Sequence, residues 1–191
     1  MRLFVAVSPP EEVLALVEAL PRPNLAKLRW TTPAQWHVTL RFLGEVEDPG
    51  PVVEALRGVP AALHDAGVEV VEAELGPAVA WFTGRRILQV PVSGTEVLAD
   101  PIITATSKWG DPPEHGPFVG HLTLARVRGS AKGPANLAGT PIRAAWRVDG
   151  FVLVSSTLGP GGAHYETLES VPLRPAPSPP PGSSAAPTPN P

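Results

Sequence analysis

His37-Val38-Thr39-Leu40 recurs 84 positions on, from 37 to 121, as His121-Leu122-Thr123-Leu124. Both copies lie in runs rich in Val, Thr, Leu and Phe that read as β-strands. Residues two apart on a strand share a face. His37 and Thr39 therefore project together while Val38 and Leu40 point into a core, and His121 and Thr123 project together over Leu122 and Leu124. The spacing is close to half of the expected folded length. It implies two similar lobes, each with one copy, packed about a pseudo-two-fold axis so that the two His/Thr pairs face each other across a central cleft.

Outward from the motifs, short strand and helix patterns alternate. Leu3 to Val7 is a buried strand, and Glu11 to Leu20 has apolar residues at helical spacing behind Pro9 and Pro10. Leu28 to Trp30 and Trp36 to Leu43 read as strands, and Val52 to Leu63 as one helix ending near Gly67. Val68 to Leu75, Val79 to Phe82 and Ile87 to Val92 are strand-like. Thr95 to Trp109 is a weaker helix, because Pro101 removes a backbone donor in its middle. Strands follow at His121 to Val127, Ala144 to Ser155 and Tyr165 to Val171. Several strands succeed one another directly. The expected fold is therefore α+β: two pseudo-symmetric lobes of mostly antiparallel β-sheet with flanking helices around the cleft. Residues 1–173 form this two-lobed domain, and the Pro/Ser/Ala-rich stretch 174–191 is expected to be a disordered tail, since it lacks the apolar side chains to offset its ordering entropy.

Composition narrows the function. The 191 residues carry 15 basic and 18 acidic side chains, a formal net charge of -3. That argues against coating a long duplex, but not against holding one phosphate at a nucleic-acid end. With no cysteine, disulfides, zinc–thiolate sites and cysteine nucleophiles are excluded. No run reaches the ~18 apolar residues of a membrane span, and the apolar start is too short for a signal peptide. A cytoplasmic protein acting as a monomer is expected.

Two histidines facing each other suit phosphodiester hydrolysis. Water attacks phosphorus in line with the departing ribose oxygen, so a base is needed on one side and an acid on the other. Histidine titrates near neutral pH and serves as either. The two threonine hydroxyls are placed to hold non-bridging phosphate oxygens. No Asp or Glu sits on the same face beside either motif, so metal ligation is disfavoured and no cofactor is implied. Arg41, two past Thr39, falls by parity on the cleft face, either toward a nucleic acid or as a solvated charge. Arg126, three past Thr123, points away by parity unless a bulge intervenes. His64, His115 and His164 read as surface residues, and Trp30, Trp36, Trp81 and Trp146 as core. Gly159, Gly161 and Gly162 mark a turn, because a P-loop would add a Lys and a Ser/Thr.

The chain resembles the two-histidine phosphoesterase superfamily, and within it the RNA 2′,3′-cyclic phosphodiesterases first described as bacterial 2′-5′ RNA ligases. The resemblance runs from Arg2-Leu3-Phe4-Val5-Ala6-Val7 and Pro10-Glu11-Glu12 through Arg29-Trp30 to His37-Val38-Thr39-Leu40-Arg41-Phe42-Leu43-Gly44-Glu45-Val46. It continues in Pro117-Phe118-Val119-Gly120-His121-Leu122-Thr123-Leu124-Ala125-Arg126-Val127, Phe151-Val152-Leu153, Ser156-x-Leu158-x-Pro160-x-Gly162 and Tyr165-Glu166. It implies His37 as proton donor to the ribose oxygen, His121 as the acceptor that activates water, Thr39 and Thr123 as phosphate-binding residues, and Arg126 as a phosphate-holding cation. The implied substrate is an RNA end or nucleotide bearing a 2′,3′-cyclic phosphate, the product a 2′-phosphomonoester, with 2′-5′ joining as the reverse reaction. The chain departs from the family at Gly120, where a proline is common, and at Val119, where a basic residue is common. A non-catalytic module that binds RNA ends, and an enzyme for a small nucleotide such as an ADP-ribose cyclic phosphate, are the alternatives.

Overall fold

A computed structural model describes residues 1–82, 84–113, 116–159 and 162–174. His115, the turn at Pro160-Gly161 and the segment from 175 onward lie outside the described residues. The elements in chain order are β1 (Arg2–Val7), α1 (Glu11–Glu18), β2 (Leu28–Trp30), β3 (Val38–Glu45), α2 (Gly50–Arg57), α3 (Val59–Asp65), β4 (Glu72–Leu75), β5 (Ala80–Trp81), β6 (Ile87–Ser93), α4 (Glu96–Ala105), β7 (His121–Val127), β8 (Ala144–Arg147), β9 (Gly150–Gly159) and β10 (Gly162–Pro172).

The strands form one ten-stranded sheet in the order β10-β9-β1-β3-β7-β6-β4-β8, with β2 added on β7 and β5 on β6. Every pairing between these strands is antiparallel. The two expected lobes are the two halves of this sheet, joined between the motif strands. The halves echo each other: β1 leads through α1 to β3, and β6 leads through α4 to β7. In both, the motif strand lies antiparallel to the strand before it.

The helices cover one face. Val13, Val17, Val52, Leu56, Leu98 and Ile102 meet Leu3, Val5, Val38, Val90 and Leu122 in a single core, all 0–1% exposed. Burying each such side chain contributes about 1.5–3 kcal/mol. The opposite face keeps only a small apolar cluster of Phe4, Ala6 and Val154. One face of the sheet near its middle is thus left for a cleft.

Three sequence expectations need correction. The helix expected over Val52 to Leu63 is two helices meeting at Gly58, because Pro60 in the first turn of α3 cannot donate back into α2. The strand expected from Ala144 to Ser155 is two strands. β8 pairs with β4 at one edge and β9 with β1 in the other half, a span no single straight strand covers. Of Val68 to Leu75, only Glu72–Leu75 is strand.

Candidate active site

The seam between the halves is a single backbone pairing, Val38 with Leu122. Both side chains are fully buried in the core. One residue to either side, antiparallel geometry sets His37 opposite Thr123 and Thr39 opposite His121, all on the face away from the core. Directly opposed side chains on such a ladder have Cβ atoms ~4.5–5.5 Å apart. The four motif residues therefore form one patch about the pseudo-two-fold axis, each half-buried and open to the cleft.

Each imidazole is held in the same way. His121 Nδ1 lies 2.9 Å from the Val119 carbonyl oxygen, two residues upstream. A carbonyl only accepts, so Nδ1 carries the hydrogen and Nε2 is left to act. The His37 ring bonds the backbone of Gln35, also two residues upstream, in a contact that favours its protonated form, as a carbonyl acceptor does. Among the described residues neither threonine hydroxyl is engaged by another protein group. Both remain available as donors.

The two rings differ in their surroundings. Phe4 stacks on His37 at 4.7 Å between centroids, and Tyr165 meets it edge-on at 5.2 Å. Phe42 and Tyr165 each approach Phe4, at 6.0 and 5.1 Å. This aromatic wall strips water from His37. Burial, followed by repulsion from His121 and Arg126, brings its pKa down to about 4, against the pull of the Gln35 bond. His121 has one aromatic neighbour, Phe82, edge-on at 4.6 Å.

Strand parity is broken once in each half, just past the motif. Opposite β1, Ala6 pairs with Thr39 but Val5 pairs with Arg41, so Leu40 is an extra residue. Opposite β6, Gln89 pairs with Thr123 but Leu88 pairs with Ala125, so Leu124 is extra. These bulges reverse the face of everything after them. Arg41 accordingly lies in the core and not on the cleft, only 4% exposed, so both of its expected placements are overturned. Its guanidinium donates to the Ile103 carbonyl at 2.7 Å, the Thr106 hydroxyl at 2.8 Å, and the Trp109 and Asp111 carbonyls at 3.3 Å each. It thus ties the C-terminal end of α4 to the motif strand, and burial lowers its pKa. The matching bulge brings Arg126 back onto the cleft face, exposed and near enough to oppose protonation of His37.

His64 in the last turn of α3 and His164 on β10 are exposed and distant from this patch. Trp36 and Trp146 are buried, while Trp30 and Trp81 are half-buried against the core. Sequence reasoning missed the wall of Phe4, Phe42 and Tyr165. The run Leu3 to Val7 is apolar throughout, so its alternation is hidden and nothing marks which members face the cleft. Among the described residues no three His, Asp or Glu side chains gather closely enough to hold a metal ion. A separate cavity of about 750 Å³ between α3 and the β8–β9 turn carries His64 but none of the motif residues.

The family described as LigT like Phosphoesterase matches residues 4–81. A Thermus thermophilus protein named RNA 2′,3′-cyclic phosphodiesterase is 36% identical over 192 residues, covering 91% of each chain. Among solved structures, TT0787 of Thermus thermophilus aligns with a TM-score of 0.72 at 33% identity, over 91% of this chain and 98% of its own. E. coli LigT complexed with 3′-AMP aligns with a TM-score of 0.66 at 22% identity, over 90% and 97%.

Proposed function

The chain belongs to the LigT-like phosphoesterases, and from that premise we propose that it hydrolyses RNA-terminal 2′,3′-cyclic phosphate to a 2′-phosphomonoester, as a cytoplasmic monomer. The relative named RNA 2′,3′-cyclic phosphodiesterase supports the reaction class. The observation that carries the mechanism is the Val38–Leu122 pairing, which gathers two histidines and two threonines around one point.

In this reading the cyclic phosphate sits over the seam. Thr39 and Thr123 donate to its two non-bridging oxygens, and Arg126 offsets their charge. His121 accepts a proton from water through Nε2 as the water oxygen bonds to phosphorus. The P–O3′ bond breaks on the opposite side and O3′ takes a proton from His37. The 2′-oxygen keeps the phosphate. The bound anion supplies the charge that holds His37 protonated against its aromatic surroundings. With an RNA 5′-hydroxyl in place of water the same groups would form a 2′-5′ bond. No helix among the described residues is long and apolar enough to cross a membrane.

The test is an assay of the purified protein on adenosine 2′,3′-cyclic phosphate and on a cyclic-ended oligoribonucleotide, with the product isomer identified by NMR. A 2′-monoester is expected, lost in His37→Ala and His121→Ala. Tight binding with no monoester formed would instead leave a module that only holds RNA ends.

A further inference from the structure

The net charge of -3 is unevenly spread. No Asp or Glu occurs in residues 19–44, 75–95 or 115–148, the stretches that supply β2, β5, β6, β7 and most of β3. The half of the sheet beside β7 is therefore basic while acidic residues lie elsewhere.

The basic side chains there are in register. Arg29 on β2 pairs with Arg126 on β7, so the two side chains share a face. That face is the cleft face, since Arg29's neighbours Leu28 and Trp30 pack on the core. Two residues further along, Arg128 N donates to the Lys27 carbonyl at 2.8 Å, which continues the same ladder and makes Lys27 and Arg128 a second basic rung. Arg85 flanks that rung from the β6 side, where Val127 N donates to the Arg86 carbonyl at 2.9 Å. Successive same-face rungs on a strand are ~6.8 Å apart, a step that one nucleotide of an extended strand spans. Lys27, Arg126 and Arg128 are exposed, and among the described residues none of them is in an ion pair. The first rung is also covered on one side: a Cβ on Gly162, at the start of β10, would fall 1.5 Å from an Arg29 guanidinium nitrogen. The hairpin can close on this arginine only because residue 162 is glycine.

The ladder starts at Thr123 and runs away from the seam along β7. We propose that it is the track of the RNA strand: the ribonucleotides 5′ of the cyclic phosphate lie along β7 and β2, with the next phosphodiester at Arg29 and the one after it at Lys27 and Arg128. The protein would then act on strand ends in preference to mononucleotide cyclic phosphates. This rests on the cyclic-phosphate reading above and adds to it where the rest of the substrate goes. Two rungs in line match the charges of a single strand, whereas a duplex presents its charges around a cylinder.

The experiment compares wild type with the Lys27→Gln/Arg128→Gln double variant on two substrates, adenosine 2′,3′-cyclic phosphate and a pentaribonucleotide ending in the same group. The mononucleotide ends before the second rung. Its kcat/KM should be unchanged, while that for the pentanucleotide falls roughly tenfold at low salt and its dependence on log salt becomes shallower by ~1.4, or ~0.7 for each lost phosphate contact. An unchanged ratio of the two substrates, or an equal loss on both, would overturn the track. Fluorescence anisotropy with a labelled pentanucleotide bearing a terminal 2′-phosphate reads the same contacts without turnover. If wild type hydrolysed neither substrate the cyclic-phosphate reading would fall, yet weaker binding by the variant would still support the track and equal binding would reject it.

Discussion

His37 should titrate far below an ordinary histidine in the free protein and return toward neutrality when a phosphate fills the cleft. Burial against Phe4 and Tyr165 brings the ring from 6.5 to about 4, so at pH 7 it is neutral and has no proton to give O3′. A phosphate anion ~4 Å away contributes ~4 kcal/mol at an effective dielectric of ~20. At 1.36 kcal/mol per unit that is ~3 pKa units. Arg126 opposes part of this, which leaves the bound ring at ~6–7, the range in which histidine donates efficiently. The assay is an NMR titration of the His37 Cε1–H, assigned with His37→Gln, without and with adenosine 2′-monophosphate. Because kcat/KM reports the free protein and kcat the complex, the alkaline fall of kcat/KM should also begin at lower pH than that of kcat. A free-protein midpoint at about 6 or above, or a midpoint that the nucleotide does not move, would refute the reasoning.

The same ring makes folding pH-dependent. Its folded pKa of about 4 lies below its unfolded 6.5, so the unfolded chain takes the proton first as pH falls through this window; stability drops by ~2 kcal/mol between pH 7 and pH 5 and levels off below about 4. Urea denaturation at pH 7 and 5 measures this, and His37→Gln should lose that share of the difference. Arg41→Met removes four charge-assisted donations at the end of α4 and should cost about 3 kcal/mol, or ~6–12 °C in Tm, read by calorimetry. Gly120→Ala would place a Cβ 2.2 Å from the Val92 carbonyl oxygen, forcing β6 and β7 apart beside His121; kcat should fall by ~10²-fold, more than KM rises. Activity should persist in EDTA, and loss restored by one metal would reinstate the two histidines as ligands.

Much of the fold and the heart of the site are readable from the residues, because both rest on period-two alternation. Val38 and Leu122 are apolar between polar neighbours, so their burial, and hence the exposure of all four His/Thr side chains, follows from the sequence. What alternation cannot reveal is a residue that breaks it. Leu40 and Leu124 look like ordinary inward-facing positions, yet each is the extra residue of a bulge, and from there parity misplaces Arg41. A bulge depends on the partner strand, which the local sequence does not name. Nor does it name partners for β8 and β9, whose continuous apolar pattern conceals a change of half between Arg147 and Gly150. The break at Gly58 is legible in principle from Pro60, but the helical spacing around that proline outweighs its effect on the preceding turn.

The repeat carries a further consequence for chemistry. Acid–base catalysis by two groups of one kind requires that they differ, since a symmetric cleft would give both imidazoles one pKa. Here the backbone is close to symmetric: the same pairing, the same carbonyl two residues upstream of each ring, the same bulge after each threonine. The difference enters through side chains at matching positions. After the bulge, β3 delivers Arg41 to the core and Phe42 to the cleft, whereas β7 delivers Ala125 to the core and Arg126 to the cleft. One side of the cleft, from β1, β3 and β10, becomes an aromatic wall that expels the proton from His37; the other, from β7 and β2, carries the cations. A repeated fold thus supplies two equivalent imidazoles, and substitutions off the motif make one of them wait for an anion before it can hold a proton.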